Sequence, residues 1–141
     1  MFKTTTASLL IFVLLIGIAV PASAAIPETV LPRWRYIQNL YINALTIDPD
    51  TGIAECSASV DAGQYLPVKA VCELQRYVGG LWATVKSWEA TDNLTVSVYG
   101  CYAVYSGYRY RIQLTGYVYS SDNVLLETAT ATTPEQYYSG N

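Results

Sequence analysis

The chain contains no histidine. This removes Ser–His and Cys–His nucleophilic pairs and every imidazole metal ligand from its possible chemistry. Its three cysteines, Cys56, Cys72 and Cys101, are spaced 16 and 29 residues apart and fit no zinc pattern. Eleven carboxylates remain. A glycosidase-type pair such as Glu55 with Glu73, or Glu89 with Asp92, needs convergence in a cleft; nothing in the spacing brings either pair together, and solvated strand carboxylates are the simpler reading. Asp48-Pro49-Asp50-Thr51-Gly52 has a faint calcium-loop look, but it lacks the next alternate oxygen ligand and a closing glutamate, so a hairpin turn is expected. No catalytic residue, metal or cofactor is therefore expected, and the chemistry left is recognition.

Recognition has one strong candidate surface. From Gly107 to Tyr119 the sequence separates every second residue into two rows. Tyr108, Tyr110, Ile112, Leu114, Gly116 and Val118 are apolar; Arg109, Arg111, Gln113, Thr115, Tyr117 and Tyr119 are polar or aromatic. Period two marks a strand with one face on a core and one toward water. A strand over Val68 to Tyr77 sorts likewise, with Val68, Ala70, Cys72 and Leu74 inward and Lys69, Val71, Glu73, Gln75 and Tyr77 outward. Thr84, Lys86 and Trp88 extend the outward face if alternation continues. The expected binding residues are Tyr77, Trp88, Arg109, Arg111, Tyr117 and Tyr119, with Tyr, Trp and Arg as anchors. The competing reading is ordinary cross-strand pairing, in which each such pair contributes roughly 0.2–1 kcal/mol to the sheet. Among Trp34, Trp82 and Trp88 at least one belongs in the core, and Trp88 is the one expected outside.

The elements that position this face are short strands. Trp34 to Ile47 reads as a first strand ending at the Asp48–Gly52 turn. Ile53 to Val60 follows, with small inward residues Ala54, Cys56 and Ala58, so the opposite sheet must fill the core. After a loop over Ala62 to Pro67 and the strand from Val68, Gly79-Gly80 signals a tight hairpin. The returning strand is Trp82 to Trp88, and Glu89 to Asn93 reads as a loop. Asn93-Leu94-Thr95 matches a glycosylation acceptor but reads more simply as a strand start. Leu94 to Val104 is the next strand, followed by Gly107 to Tyr119 as the central one. Ser120 to Asn123 turns the chain into Val124 to Thr132, and residues 134–141 read as a flexible tail. About seven strands with turn signals every 8–12 residues predict an all-β antiparallel sandwich over residues 33–133.

Residues 1–24 read as a signal peptide. Lys3 supplies the positive charge, Ala7 to Val20 the apolar run, and Pro21-Ala22-Ser23-Ala24 an Ala-x-Ala cleavage pattern. A lead-in occupies 25–32. The run is short of the ~20 residues that span a bilayer, so the mature chain is expected to be secreted, extracellular and without stable membrane insertion. The whole chain carries 8 basic and 11 acidic side chains, a net charge of −3; loss of Lys3 makes the mature chain −4. That balance does not suit a phosphate backbone, and no nucleic acid partner is expected. Three cysteines leave at least one without an intrachain partner. Cys56 and Cys72 point inward, either as a bridge or as two small buried apolar groups. Cys101 points outward.

Two resemblances follow from the residues. Ser106-Gly107-Tyr108-Arg109-Tyr110-Arg111-Ile112-Gln113-Leu114 resembles the turn into strand F of fibronectin type III and immunoglobulin-like domains. That likeness implies a tyrosine corner, with the Tyr110 hydroxyl bonding backbone between Val104 and Gly107. Ile112 stands where an immunoglobulin strand-F cysteine would be, so that disulfide is excluded. Arg33-Trp34-Arg35-Tyr36-Ile37, Ala54-Glu55-Cys56-Ser57, Leu74-Gln75-Arg76-Tyr77, Trp82 to Trp88, Gly107 to Arg111 and Glu127-Thr128-Ala129-Thr130, in that order, resemble a family of small secreted bacterial proteins classed as a domain of unknown function. This implies bacterial secretion and a sandwich fold and transfers no activity. The expected function is a non-catalytic extracellular binding module for a protein or glycan ligand. The alternative is a bacteriocin-like effector acting on other cells.

Overall fold

The computed structural model describes residues 34–141; the expected signal peptide and lead-in lie outside them. Nine strands, β1 Asn39–Ile42, β2 Thr46–Ile47, β3 Ile53–Asp61, β4 Pro67–Val78, β5 Leu81–Asn93, β6 Thr95–Ala103, β7 Tyr108–Tyr119, β8 Leu125–Thr132 and β9 Gln136–Tyr138, form two antiparallel sheets with no helix among the described residues. In one sheet β3 lies between β6 and an outer flank made of β1 and β2. In the other, the order is β5, β4, β7, with β8 and β9 sharing the far side of β7.

The two-residue rhythm works as expected on the inner strands. Ala54, Cys56, Ala58 and Val60 of β3 and Val68, Ala70, Cys72 and Leu74 of β4 are buried, as are Tyr110, Ile112, Leu114 and Val118 of β7. These rows face one another and form one apolar cluster. Cys56 and Cys72 are free thiols inside it, and Cys101 is an exposed one. The Cys56 thiol contacts Cys72 between the sheets, and that contact together with burial pushes its pKa up.

Three expectations need correction. The first strand breaks in two, because Asn43 to Leu45 leave the ladder between β1 and β2. Glu89 to Asn93 is no loop: β5 continues through it, paired with the start of β4 from Pro67 to Val71. The expected flexible tail contains β9, which pairs Tyr108–Tyr110 with Gln136–Tyr138. Its anchoring continues beyond the ladder, since Gly107 N–H donates to the Tyr138 carbonyl at 2.7 Å and the Tyr138 hydroxyl to the Pro49 carbonyl at 3.3 Å.

The β4–β5 hairpin turns at Gly79 and Gly80, both at positive φ (60° and 84°). Two successive positive-φ residues are what a tight antiparallel hairpin requires. Near the other end of the molecule, Glu127 on β8 secures the chain ahead of β1. Its carboxylate accepts hydrogen bonds from the backbone N–H groups of Arg35, Tyr36 and Ile37 at 2.8, 2.7 and 2.6 Å. Burial works against the charged form, but the three donors outweigh it and hold the Glu127 pKa below its ordinary value.

Candidate functional site

The outer face of the β5–β4–β7 sheet carries the expected Arg and aromatic side chains, in a tighter arrangement than alternation alone implies. The hairpin makes Tyr77 and Trp82 a cross-strand pair, with ring centroids 5.2 Å apart and planes tilted by 55°. On the other side of β4, Gln75 pairs with Arg111. The Arg111 guanidinium lies 4.3 Å from the Trp82 ring centre, and that of Arg109 lies 4.3 Å from Tyr77. Two cations and two rings therefore interleave across three strands. Contacts of this kind are worth about 0.5–1 kcal/mol each where exposed, so they order the face more than they stabilise the fold.

Polar partners fix the two arginines differently. Arg109 donates to the Glu135 carboxylate at 2.8 Å, an ion pair brought in by the segment leading to β9. Arg111 Nε donates to Gln75 Oε1 at 2.9 Å and forms no ion pair among the described residues. Beyond it, Gln113 Nε2 and Thr84 Oγ1 donate to the two oxygens of Glu73 at 3.1 and 2.9 Å. Tyr137, opposite Arg109 on β9, adds an exposed ring.

Of the expected binding residues, Tyr77, Arg109 and Arg111 come together. Tyr117 and Tyr119 share the face but sit at its far end. Six residues of extended chain separate Arg111 from Tyr117, roughly 20 Å at 3.3–3.4 Å per residue. There Lys69, paired with Glu89 at 2.8 Å, stands opposite Tyr117.

Trp88 is not on this face. The register shifts between Leu74 and Gln75, leaving Val85 of β5 as an extra residue. A bulge of this kind reverses which side later residues face. Trp82 and Thr84 therefore stay outside, whereas Trp88 pairs with the inward Cys72 and lies against Gly100 of β6. An added Cβ at Gly100 would stand 2.1 Å from the Trp88 ring. Lys86 turns in as well, its Nζ 5.9 Å from the Tyr102 ring centre.

Trp82, Tyr137 and Glu135 are the members of the face that the sequence did not single out. A cross-strand partner for Tyr77 was readable from the Gly79-Gly80 turn, which makes Trp82 the one recoverable omission. The suggested carboxylate pairs do not meet. Glu55 and Glu73 belong to different sheets and point outward from each, and Glu89 and Asp92 alternate to opposite sides of β5. The Asp48 carboxylate accepts hydrogen bonds from Asp50 and Thr51 N–H, both at 2.9 Å. These donors hold its pKa below the ordinary value and tie the group to the turn. Among the described residues no group of three His, Cys, Asp or Glu side chains could hold a metal ion, and no helix is long and apolar enough to cross a membrane.

Neither a scan against protein-family models nor a search of curated proteins returned a match to this chain.

Proposed function

We propose that the chain is a secreted, non-catalytic binding module that engages an extracellular protein or glycan through the interleaved cation–ring face of β5, β4 and β7. The observation that carries this reading is Arg111, stacked on Trp82 without an ion-pair partner among the described residues, on a face where exposed Tyr137 stands opposite the neighbouring Arg109. Ordered rings with free hydrogen-bonding edges lose little side-chain freedom on contact, which is why Tyr, Trp and Arg dominate binding energetics. The finer fold reading is an immunoglobulin/fibronectin-III-like sandwich. In its support, the Tyr110 hydroxyl near the start of β7 donates to the Tyr105 carbonyl at 2.7 Å, the bond a tyrosine corner makes. The ordered motifs from Arg33 to Thr130 support kinship with the small secreted bacterial proteins they resemble.

The test is a glycan array and a pull-down from extracellular material with the purified protein, run beside a Tyr77→Ala/Arg111→Ala variant of unchanged melting behaviour. A hit weakened at least tenfold by the variant is expected, as for central anchors of an interface. A hit indifferent to both substitutions would remove this face from the function. Growth inhibition of neighbouring cells by the purified protein, with no surface ligand found, would favour the effector reading instead.

A further inference from the structure

A second site lies between the sheets, at the end where β4 and β6 finish and β7 begins. Arg76 follows Leu74 in the inward row of β4, a position that on the preceding turns of the pleat holds Val68, Ala70 and Cys72. It lines a cavity of about 210 Å³ together with Val85, Tyr102, Val104, Tyr105 and Tyr110. The Arg76 Nε is buried and has no hydrogen-bond partner among the described residues. Its guanidinium lies 4.6 Å from the Tyr108 ring centre, and no carboxylate pairs with it among the described residues. Lys86 stands nearby over Tyr102, also without an ion pair. The Tyr110 hydroxyl is a neighbour of Arg76, and burial raises its pKa in spite of that positive charge. Buried polar hydrogens are ordinarily matched, and an orphan in a native structure calls for an explanation. Here the orphan borders a cavity with apolar and tyrosine walls.

We propose that this cavity binds a single carboxylate carried on an apolar or aromatic body the size of one amino-acid residue. The Nε edge of a guanidinium presents two parallel N–H donors that match a carboxylate in bidentate fashion. Val85, Val104 and Tyr102 offer the walls for the apolar body. The volume falls below the roughly 300–1,000 Å³ of drug-sized sites, which restricts the occupant to one residue or one ring. A free aromatic acid and the C-terminal residue of a peptide share this chemistry. The site is separate from the outer face, whose arginines point away from it on the opposite side of the sheet.

The experiment is an NMR titration of the 15N-labelled protein with phenylacetate, with N-acetyl-leucine as the peptide-terminus mimic, and with the two corresponding amides. Saturable shifts confined to Arg76, Val85 and Tyr102 to Tyr105 are expected for at least one acid, with Kd on the order of 1 mM for so small a ligand. The amide of that acid should bind at least tenfold more weakly. Whichever acid binds more tightly identifies the source, free acid or peptide end. Arg76→Gln should abolish the shifts, Arg76→Lys should weaken them, and Arg111→Ala should leave them unchanged, which separates this site from the outer face. If Arg76→Gln does not fold, the acid-against-amide comparison on the unaltered protein decides. Equal binding of acid and amide, shifts centred elsewhere, or no saturable shift up to 10 mM of either acid (a limit about tenfold above the expected Kd) would overturn the proposal and leave the cavity to water.

Discussion

Substituting Gly100 by alanine tests the placement of Trp88 directly. The new Cβ would fall 2.1 Å from the Trp88 ring, far inside any real contact, with the ring rather than a flexible tip in the way. The indole must swing outward or the sheets must part. An aromatic side chain buries about 150–250 Å²; Trp88 is half-buried, so expulsion returns roughly 100 Å² to water. At about 25 cal/mol per Å² that costs about 2.5 kcal/mol. The backbone entropy saved by replacing a strand glycine offsets about 0.5 kcal/mol. The net loss of about 2 kcal/mol should lower the melting temperature by roughly 10 °C in a domain of this size, and Trp emission should shift to the red. The deciding measurement is the double-mutant cycle with Trp88→Ala, read by urea denaturation. Once the ring is gone, Gly100→Ala should cost nothing or stabilise slightly, a coupling of about 2 kcal/mol. Equal costs of Gly100→Ala in both backgrounds would mean that Trp88 does not occupy the space above Gly100, and the inward turn of β5 after Val85 would be wrong.

Two further outcomes are expected. Glu127→Gln should destabilise by about 1–2 kcal/mol at neutral pH, at the low end of what three charge-assisted bonds could supply because the carboxylate is partly solvated. Folding lowers the Glu127 pKa, so its contribution is full above the ordinary value of 4.5 and is lost as pH falls below it; chemical denaturation at pH 7 and pH 3 should show the wild type losing its advantage over Glu127→Gln, and an advantage that persists at pH 3 would assign the effect to something other than the carboxylate. With a thiol reagent on the native protein, Cys101 should react at once, whereas Cys56 and Cys72, 0% and 1% exposed, should react only through unfolding; simultaneous labelling of all three would place the inner pair outside the core.

What the sequence made legible was what depends on unbroken alternation. From Tyr110 to Val118 the chain runs without interruption, and every second side chain lands in the core. The small residues of β3 likewise face the fuller side chains of β4 and β7. What escaped were features set by pairing at a distance. The extra residue at Val85 lies in Thr84-Val85-Lys86, with no glycine or proline to announce it, yet it alone decides that Trp82 is outside and Trp88 inside. β9 consists of three residues whose partners lie about 28 positions earlier, and nothing in Gln136-Tyr137-Tyr138 specifies that ladder locally. Arg76 continues the inward row of β4 by the same alternation, but the sequence reading ended that row at Leu74. The cavity it faces exists only because the end of β6 and the segment after it close over that row.

The broken flanks of the two sheets have a consequence for behaviour in concentrated solution. β1 with β2 and β8 with β9 make flanks broken into shorter pieces, whereas β6 and β5 are unbroken edges that each pair on one side alone among the described residues, β6 over 9 residues and β5, the longer, over 13. Long free edges are where foreign strands add. Precipitation and filament growth, when they occur, should therefore begin along β5, with the kink at Val85 and the charge of Lys86 acting as the natural gatekeepers against it.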